Sequence, residues 1–492
     1  MIILDRTLSI DAAMNIVRFG EKLEFSENAI NRVKKCSSKI DEAIDNGIKI
    51  YGVTTGLGAN VTENISREET RVYQERILKS HAVSVGEPIS EEELRAIILM
   101  IILNGIKGYS GVRIETLNLL KEFLNRNLYV YVPGNGSVGY LNLEAHIGLA
   151  LIGEGKIFKD GEFKNSRDVL ESLNLKPLEL SYKEALFIIS GTTSVTAYGL
   201  LNIYDAEIAF ENFKLISAMS VEVNLATTRA FDKRLMEVRK QIEQQEVARD
   251  ILEILKDSKV CEQYYNKSLQ NSLSIRCIPQ LAGAVLKKIN EAKLTILREM
   301  DSSTDNPIIY IEDGKVDAIS GCNPDSSYVG LEMECIGIAL TMLAKMSERR
   351  TFRLLDEKLS NKPAFLVENS GSNSGLMITQ YTQAGLLNQM KGLCTANIVD
   401  SIPTCANQED YTAMGFNSVK KLRKILDNLK YILAIELLAI YEANYYVDEN
   451  LKRSSKTNEL YNKLKFIPRL REDIKLHPYI EELRKMMDTN LI

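Results

Sequence analysis

The chain is expected to be mainly α-helical, organised as one large central helical bundle. Three observations predict this. Apolar residues recur with a helical period over 181–225, 229–257, 279–299, 326–356, 372–397 and 413–447, runs long enough to cross a whole domain. Only ten prolines interrupt 492 residues, which suits long unbroken helices. The connectors are short and polar or glycine-containing, with no internal repeat or Ser/Pro-rich linker. One continuous fold is therefore expected: a mostly helical region over 1–200, the long-helix bundle over 201–450 and a helical tail over 451–492.

Taken in order, Ser9 and Ser26 each precede an apolar-periodic run and are placed to cap it. YGVTTGLGAN at 51–60 holds three glycines and two threonines and reads as a loop. Helical periodicity returns over 65–127 and carries His81, with a break at KGYSG, 107–111. Residues 129–140 are again glycine-rich, and Lys159-Asp160-Gly161-Glu162 predicts a hairpin-like turn in 155–175, the best candidate for a small β excursion. Polar connectors follow at 264–276, 301–307, 320–327, 360–370 and 401–410. These connectors hold the side chains a site on a rigid scaffold would use.

Composition narrows the classes of function. Lys and Arg number 61 against 66 Asp and Glu, a net charge of −5, so no nucleic-acid surface is expected. The longest apolar stretches, read as 96–103 and 432–441, fall short of a membrane span, so no membrane association is expected. Seven cysteines without CxxC spacing, and a first stretch unlike a signal peptide, predict reduced thiols and a cytoplasmic location. Three scattered histidines without a cysteine cluster predict no metal site, and no glycine-rich phosphate loop follows a strand.

Several ordered motifs resemble the histidine ammonia-lyase family of amino acid ammonia-lyases. They are YGVTTGLG from Tyr51, KSHAVSVG around His81, NGIKGYSGVR at 104–113, GSVGYLNLEAH at 136–146 and QNSLSIRCIPQ at 270–280. STDNP at 303–307, SGCN at 320–323, SERR at 347–350, FLVENSGSNSG at 365–375 and DSIPTCANQEDYTAMG at 400–415 complete the set. The resemblance implies a fold like that of the ammonia-lyases and the fumarase–aspartase enzymes, and a homotetramer with active sites shared between chains. Long helices of the predicted length need partners to cover their apolar faces.

The departures from the family pattern are concentrated. Family members read Gly-Ser-Val-Gly, then Ala-Ser-Gly, then a segment ending in Ala-His. The Ala-Ser-Gly cyclises into an electrophilic methylidene-imidazolone. Here Gly139 is followed at once by Tyr140, and the triplet is missing. The Asn that touches the group is replaced by Ser190, the second catalytic tyrosine by Leu273, an aromatic by Pro324 and a glutamate by Gln389. Tyr51, His81, Arg276 and Asn306 remain.

The resemblance implies a role for each retained residue. Tyr51 on an inner loop would move the proton, once positive charge or hydrogen bonds lower its pKa. His81 would shuttle a proton or orient the substrate. Arg276 offers a planar fork for a carboxylate. Asn306, Ser190, Gln389, Tyr140 and Lys391 would line the substrate site, and Gln408, Glu409, Tyr411 and Asn323 would organise it. His146 is read as structural.

Removing ammonia from an α-amino acid needs that electrophile, because ammonium is a poor leaving group and the β-proton is weakly acidic. Without it, and with no cofactor, the substrate must carry its own leaving group. A trimethylammonium betaine does so. The expected activity is therefore that of an ergothionase-like lyase, which eliminates trimethylamine from ergothioneine or a similar histidine betaine to give a urocanate-type acrylate. The alternatives are another cofactor-free elimination, a hercynine or histidine lyase, and a non-catalytic metabolite-binding homologue.

Overall fold

The computed structural model describes residues 1–492, apart from the side chains of 67 and 68. It is predominantly helical, as the periodicity predicts. The chain divides into two compact units. The first comprises Met1–Leu201, Lys293–Met333 and Asn397–Lys420, and the second Asn202–Ala292, Glu334–Ala396 and Lys421–Ile492. The longest helices are Thr193–Val223, Ile278–Asp301, Ser327–Leu355 and Gly415–Asn444.

Local chemistry explains where helices start. Ser9 accepts from the Ala12 amide at 3.2 Å and Ser26 from the Ala29 amide at 3.1 Å, each satisfying an otherwise orphaned donor. The Glu91–Ile106 helix opens on a reciprocal capping box. The Glu93 amide donates to Ser90 Oγ at 3.3 Å, and the Ser90 amide donates to the Glu93 carboxylate at 2.8 Å. From Leu94 to Ile106 that helix is buried on every side, so it forms the centre of the first unit. Its one buried charge, Arg95, donates to the Val17 carbonyl at 2.9 Å and the Leu124 carbonyl at 2.8 Å. It thereby caps the C-terminal ends of two neighbouring helices, Ile10–Val17 and Ile114–Asn125.

In the second unit the bundle buries Arg350 of the SERR motif against Glu436. The guanidinium is bidentate on the carboxylate, at 2.5 and 2.9 Å, with both side chains fully enclosed. The ring of Phe213 lies 4.8 Å from the guanidinium carbon.

Three expectations are corrected. The run predicted over 181–225 is two helices, Glu184–Ile189 and Thr193–Val223. Ser190 is extended between them, and the buried Glu144 carboxylate accepts the Thr193 hydroxyl at 2.9 Å and the Ser194 amide at 3.2 Å. A carboxylate at a helix N-terminus stabilises that start, which periodicity cannot reveal. Similarly, 229–257 resolves into Lys233–Glu237 and Ile242–Ile254, with Lys240 left-handed between them. A longer apolar window than those expected, 18 residues of mean hydropathy 1.4, lies within Glu184–Val223. It is long and apolar enough to span a membrane, but that window is entirely buried in the protein. Its apolar character is spent on the core.

The expected β excursion is present as the Lys156–Lys159 and Glu162–Asn165 hairpin. A second hairpin, Ile308–Glu312 with Lys315–Ile319, was not anticipated. Its signal was available: alternating apolar residues flank Asp313-Gly314, and both turn residues have positive φ.

Candidate active site

The segment that lacks the triplet is held in an unusual conformation. Gly139 has φ of 145°, and a Cβ there would come within 3.0 Å of Ser326 Oγ, so the close approach requires glycine. Leu141 has φ 79° and ψ −65°, and the Asn142 amide donates to the Tyr140 carbonyl at 3.1 Å. This is a γ-turn of the rare positive-φ form, a geometry that costs about 1–3 kcal/mol in a residue with a side chain. Neighbours impose it. The Leu141 amide donates to the Ile189 carbonyl at 3.0 Å, and Asn142 Nδ2 donates to the Gly136 carbonyl at 2.9 Å. The helix Asn142–Leu151 begins immediately afterwards. The Tyr140 phenol is partly buried beside this turn. Burial first, then the negative charge of Glu409 and Asp325 and the Cys322 and Cys405 thiols, pushes its pKa far above the usual phenol value.

The Tyr51 loop lies in the same unit. The Gly58 amide donates to the Tyr51 phenol oxygen at 2.8 Å, closing the loop on its own tyrosine. A Cβ on Gly58, whose φ is 55°, would fall 2.1 Å from Cys405 Sγ. The loop therefore rests directly on the 404–409 turn. That turn has three successive left-handed residues, Cys405, Ala406 and Asn407. It is closed by the Thr404 amide donating to the Glu409 carbonyl at 2.9 Å and the Thr404 hydroxyl donating to the Glu409 carboxylate at 2.8 Å. The Glu409 charge lies within electrostatic range of both Tyr51 and Tyr140. The Tyr51 pKa is raised: burial outweighs the Gly58 hydrogen bond, and Glu409 and Cys405 add to the rise. This corrects the expectation of a lowered Tyr51, because burial dominates and the charge near the phenol is negative rather than positive.

Ser190 and Asn306 are brought together. The Asn306 amide donates to Ser190 Oγ at 3.1 Å. The Asn306 side-chain oxygen accepts from Ser320 Oγ at 3.2 Å and the Gly321 amide at 2.9 Å. Asn323 Nδ2 donates to the Ser303 carbonyl at 3.2 Å, so the STDNP and SGCN segments form one tied pair of loops. Just before Asn306, Asp305 forms a fully buried ion pair with Lys183. His81 ends the Arg67–His81 helix, where its Nδ1 lies 2.8 Å from the Ile77 carbonyl and 3.0 Å from Ser80 Oγ. With Nδ1 donating to a carbonyl, the neutral ring has its free lone pair on Nε2. Gln408, Tyr411 and Asn323 are exposed. His146 is partly buried; its Nε2 lacks a hydrogen-bond partner and burial lowers its pKa, which keeps the ring neutral.

Three of the expected residues belong to the second unit. Arg276 closes the short Leu273–Arg276 helix, and its Nη1 donates to Gln270 at 2.8 Å. Its Nε is buried without a partner, and among the described residues it makes no ion pair with an acidic side chain. Gln389 and Lys391 are exposed on the Met377–Leu393 helix. Asn428 donates to Gln389 at 3.4 Å.

Sequence reasoning missed Gln74, which holds the Tyr51 loop. It is fully buried, with Nε2 donating to the Gly52 carbonyl at 3.2 Å. It belongs to no recognisable motif. Only the placement of its helix beside the loop reveals it.

Comparison with known proteins agrees with this geometry. Residues 8–465 match the model of the aromatic amino acid lyase family. The chain belongs to that family. A histidine ammonia-lyase from Alkaliphilus oremlandii is 38% identical over 435 residues, covering 88% of this chain and 85% of the relative. Among solved structures, histidine ammonia-lyase from Trypanosoma cruzi superposes with a TM-score of 0.91 at 30% identity, covering 99% of this chain and 92% of that one. The ergothioneine-degrading ergothionase from Treponema denticola, solved with desmethyl-ergothioneine sulfonic acid, also gives 0.91, at 25% identity and 99% and 98% coverage. The ammonia-lyase fold expected from the motifs is therefore the observed one. Family membership makes the protein a carbon–nitrogen lyase of amino-acid-derived substrates.

Proposed function

We propose that this protein is a lyase that works without the family's prosthetic group and eliminates trimethylamine from a histidine-derived betaine such as ergothioneine. The observation that carries this reading is the path of residues 139–142. The family's group is built from Ala-Ser-Gly, and here the chain passes from Gly139 through Tyr140 and a γ-turn at Leu141 straight into a helix. These residues do not fit that group, and no step is assigned to it.

The chemistry then falls to the chain and the substrate. A quaternary nitrogen is already a good leaving group. Tyr51 takes the β-proton as phenolate, the C–H electron pair becomes the new carbon–carbon double bond, and the C–N pair departs with neutral trimethylamine. The product is a conjugated acrylate, thiourocanate from ergothioneine. In the free protein Tyr51 is protonated at neutral pH, since burial and Glu409 raise its pKa. A fixed positive charge beside the phenol has the opposite effect, so a bound betaine itself promotes ionisation of its base. The Gly58 amide supports the resulting phenolate. The unpartnered Arg276 Nε supports assigning that residue to the substrate carboxylate. Asn306 with Ser190, together with Tyr140, Gln389 and Lys391, completes the substrate site in this reading. His81 presents Nε2 as a proton acceptor, while Gln408, Tyr411 and Asn323 shape the surrounding loops.

We further propose that the working form is a homotetramer. The Ser327–Leu355 helix leaves Tyr328 76%, Leu331 58% and Ile338 48% exposed, an apolar stripe that a second copy would cover. Light scattering that returns a monomer would overturn this.

The direct test incubates the protein with ergothioneine, hercynine and histidine, following trimethylamine release and the ultraviolet absorbance of the acrylate. Turnover of a betaine with none of histidine is the expected result. Failure with both betaines at high protein concentration overturns the reading. Ammonia release from histidine would favour the second reading, a histidine ammonia-lyase, which the 38% identity to an enzyme of that name supports.

A further inference from the structure

We propose that a small polar cavity beneath the Ser190-Gly191-Thr192 segment binds one ordered water, and that Asn104 and Glu299 act through it as positioning residues for the Ser190–Asn306 pair. The positioning role rests on that pair lining the substrate site.

All the lining residues of the cavity belong to the first unit. It lies between the Glu91–Ile106 helix, the start of the Thr193–Val223 helix and the end of the Ile278–Asp301 helix. It leaves about 10 Å³ for the centre of a water molecule, room for one. Besides apolar carbon, its walls carry threonine and serine hydroxyls, one amide and one carboxylate.

Asn104 supplies the amide. It opens the NGIKGYSGVR motif and is only 3% exposed. Its Oδ1 accepts the Thr304 amide at 3.0 Å and the Ser303 hydroxyl at 3.4 Å. A backbone N–H requires an oxygen, so these partners fix the orientation of the side chain. Nδ2 is thereby left buried and without a partner among the described residues. It lies beneath Gly191, where a Cβ would come within 3.2 Å of it and within 2.8 Å of Thr304 Oγ1. A buried NH2 group without an acceptor is costly.

Glu299 supplies the opposite polarity. Its Oε2 accepts the Thr192 hydroxyl at 2.8 Å, and that hydroxyl lies 3.1 Å from the Thr196 hydroxyl. Thr192 spends its proton on the carboxylate, so Thr196 is the donor in the second bond. Among the described residues only Thr192 bonds the carboxylate, which leaves its other oxygen as an acceptor. The cavity thus offers a donor from Asn104 and acceptors from Glu299 and the hydroxyls. Water matches both, accepting from Asn104 Nδ2 and donating to Glu299. A cation would meet the positive end of the Asn104 amide, and an anion would meet the Glu299 carboxylate.

The consequence reaches the site. The Thr192 amide donates to Thr304 Oγ1 at 3.2 Å, and the Asn306 amide donates to Ser190 Oγ at 3.1 Å. The two segments are laced together at 192 with 304 and at 190 with 306. The water ties the first lace to the Glu91–Ile106 helix through Asn104 and to the Ile278–Asp301 helix through Glu299. Without it Thr192 and Thr304 can part, and Asn306 moves off Ser190.

The test is a high-resolution crystal structure of the whole chain, with crystals soaked in thallium(I) alongside. The expected result is a density peak within hydrogen-bond distance of Asn104 Nδ2 and a Glu299 oxygen, with no anomalous thallium signal there. A cavity without density, or a thallium peak in it, overturns the water site. The positioning role is read in two variants of Glu299, which is partly exposed at the rim. Glu299→Leu should lose the peak and part the Asn306 amide from Ser190 Oγ. It should also raise KM for the betaine about tenfold, with kcat within about threefold. Glu299→Gln loses the charge but keeps hydrogen-bonding atoms, so it should keep the peak, the Asn306–Ser190 bond and a KM within about twofold of wild type. An intact Asn306–Ser190 bond in Glu299→Leu overturns the positioning role, and so does a Glu299→Gln protein that behaves like Glu299→Leu. The structural readouts need no substrate. A parted bond in Glu299→Leu without betaine turnover by the wild type upholds the inference and removes the betaine reading; an intact bond with turnover does the reverse.

Discussion

Two glycine-rich segments of the first unit have met opposite fates. The Tyr51 loop keeps the family pattern, and its geometry is supported from several directions: the Gly58 amide on the phenol, Gln74 on Gly52 and Cys405 against Gly58. The 139–142 segment departs from that pattern and adopts a strained γ-turn pinned by Ile189 and Gly136. In the proposed reading, proton-transfer machinery is retained, while machinery for activating a leaving group is replaced by the partly buried Tyr140 phenol.

The comparison is most directly broken at Tyr51. Tyr51→Phe should reduce turnover about a thousandfold, the scale of a lost general base, while a substrate analogue still binds in calorimetry. Turnover within tenfold of wild type would remove Tyr51 from the mechanism. Next, Tyr140→Ala tests whether the rebuilt segment recognises the cation. A lost cation–aromatic contact should raise KM for the betaine roughly tenfold and alter kcat less; an unchanged KM would make Tyr140 a spacer.

Glu409 connects the two segments, and its effect has a definite sign. The base must be ionised and its pKa is raised, so kcat/KM should climb with pH through the neutral and alkaline range, about tenfold per unit on the ascending limb. Glu409→Gln removes one cause of the rise. It should move that limb to lower pH and raise activity severalfold at pH 7, with a weaker KM if the carboxylate also attracts the cation. A limb displaced to higher pH would contradict the electrostatics. The smallest effect is expected from Leu141→Gly. Glycine tolerates the positive φ, so relief of strain should exceed its unfolded-state entropy cost by about 1 kcal/mol. The gain would be read as a higher midpoint in urea denaturation.

How much was legible in advance differs by level. The long helices, the serine caps at Ser9 and Ser26 and the first hairpin follow from local patterns. The gap at Ser190 between two helices did not, because the carboxylate that fixes the second start comes from Glu144, some fifty residues earlier. The pairing of Ser190 with Asn306 joins residues that no motif connects. Gln74 lies in a polar stretch without any signature, and its contact depends on a loop folding back over it.

The sequence by itself determined the helical class, the family and the direct step from Gly139 to Tyr140. Each is carried by residue order and spacing, which survive without a fold. Only the tertiary structure decided that Leu141 adopts a γ-turn, that Gly58 meets Cys405 and that Tyr51 is raised rather than lowered in pKa. Those properties depend on desolvation and on charges from segments hundreds of residues apart, such as the Tyr51 loop and the 404–409 turn. A linear chain does not state how far apart such segments will be.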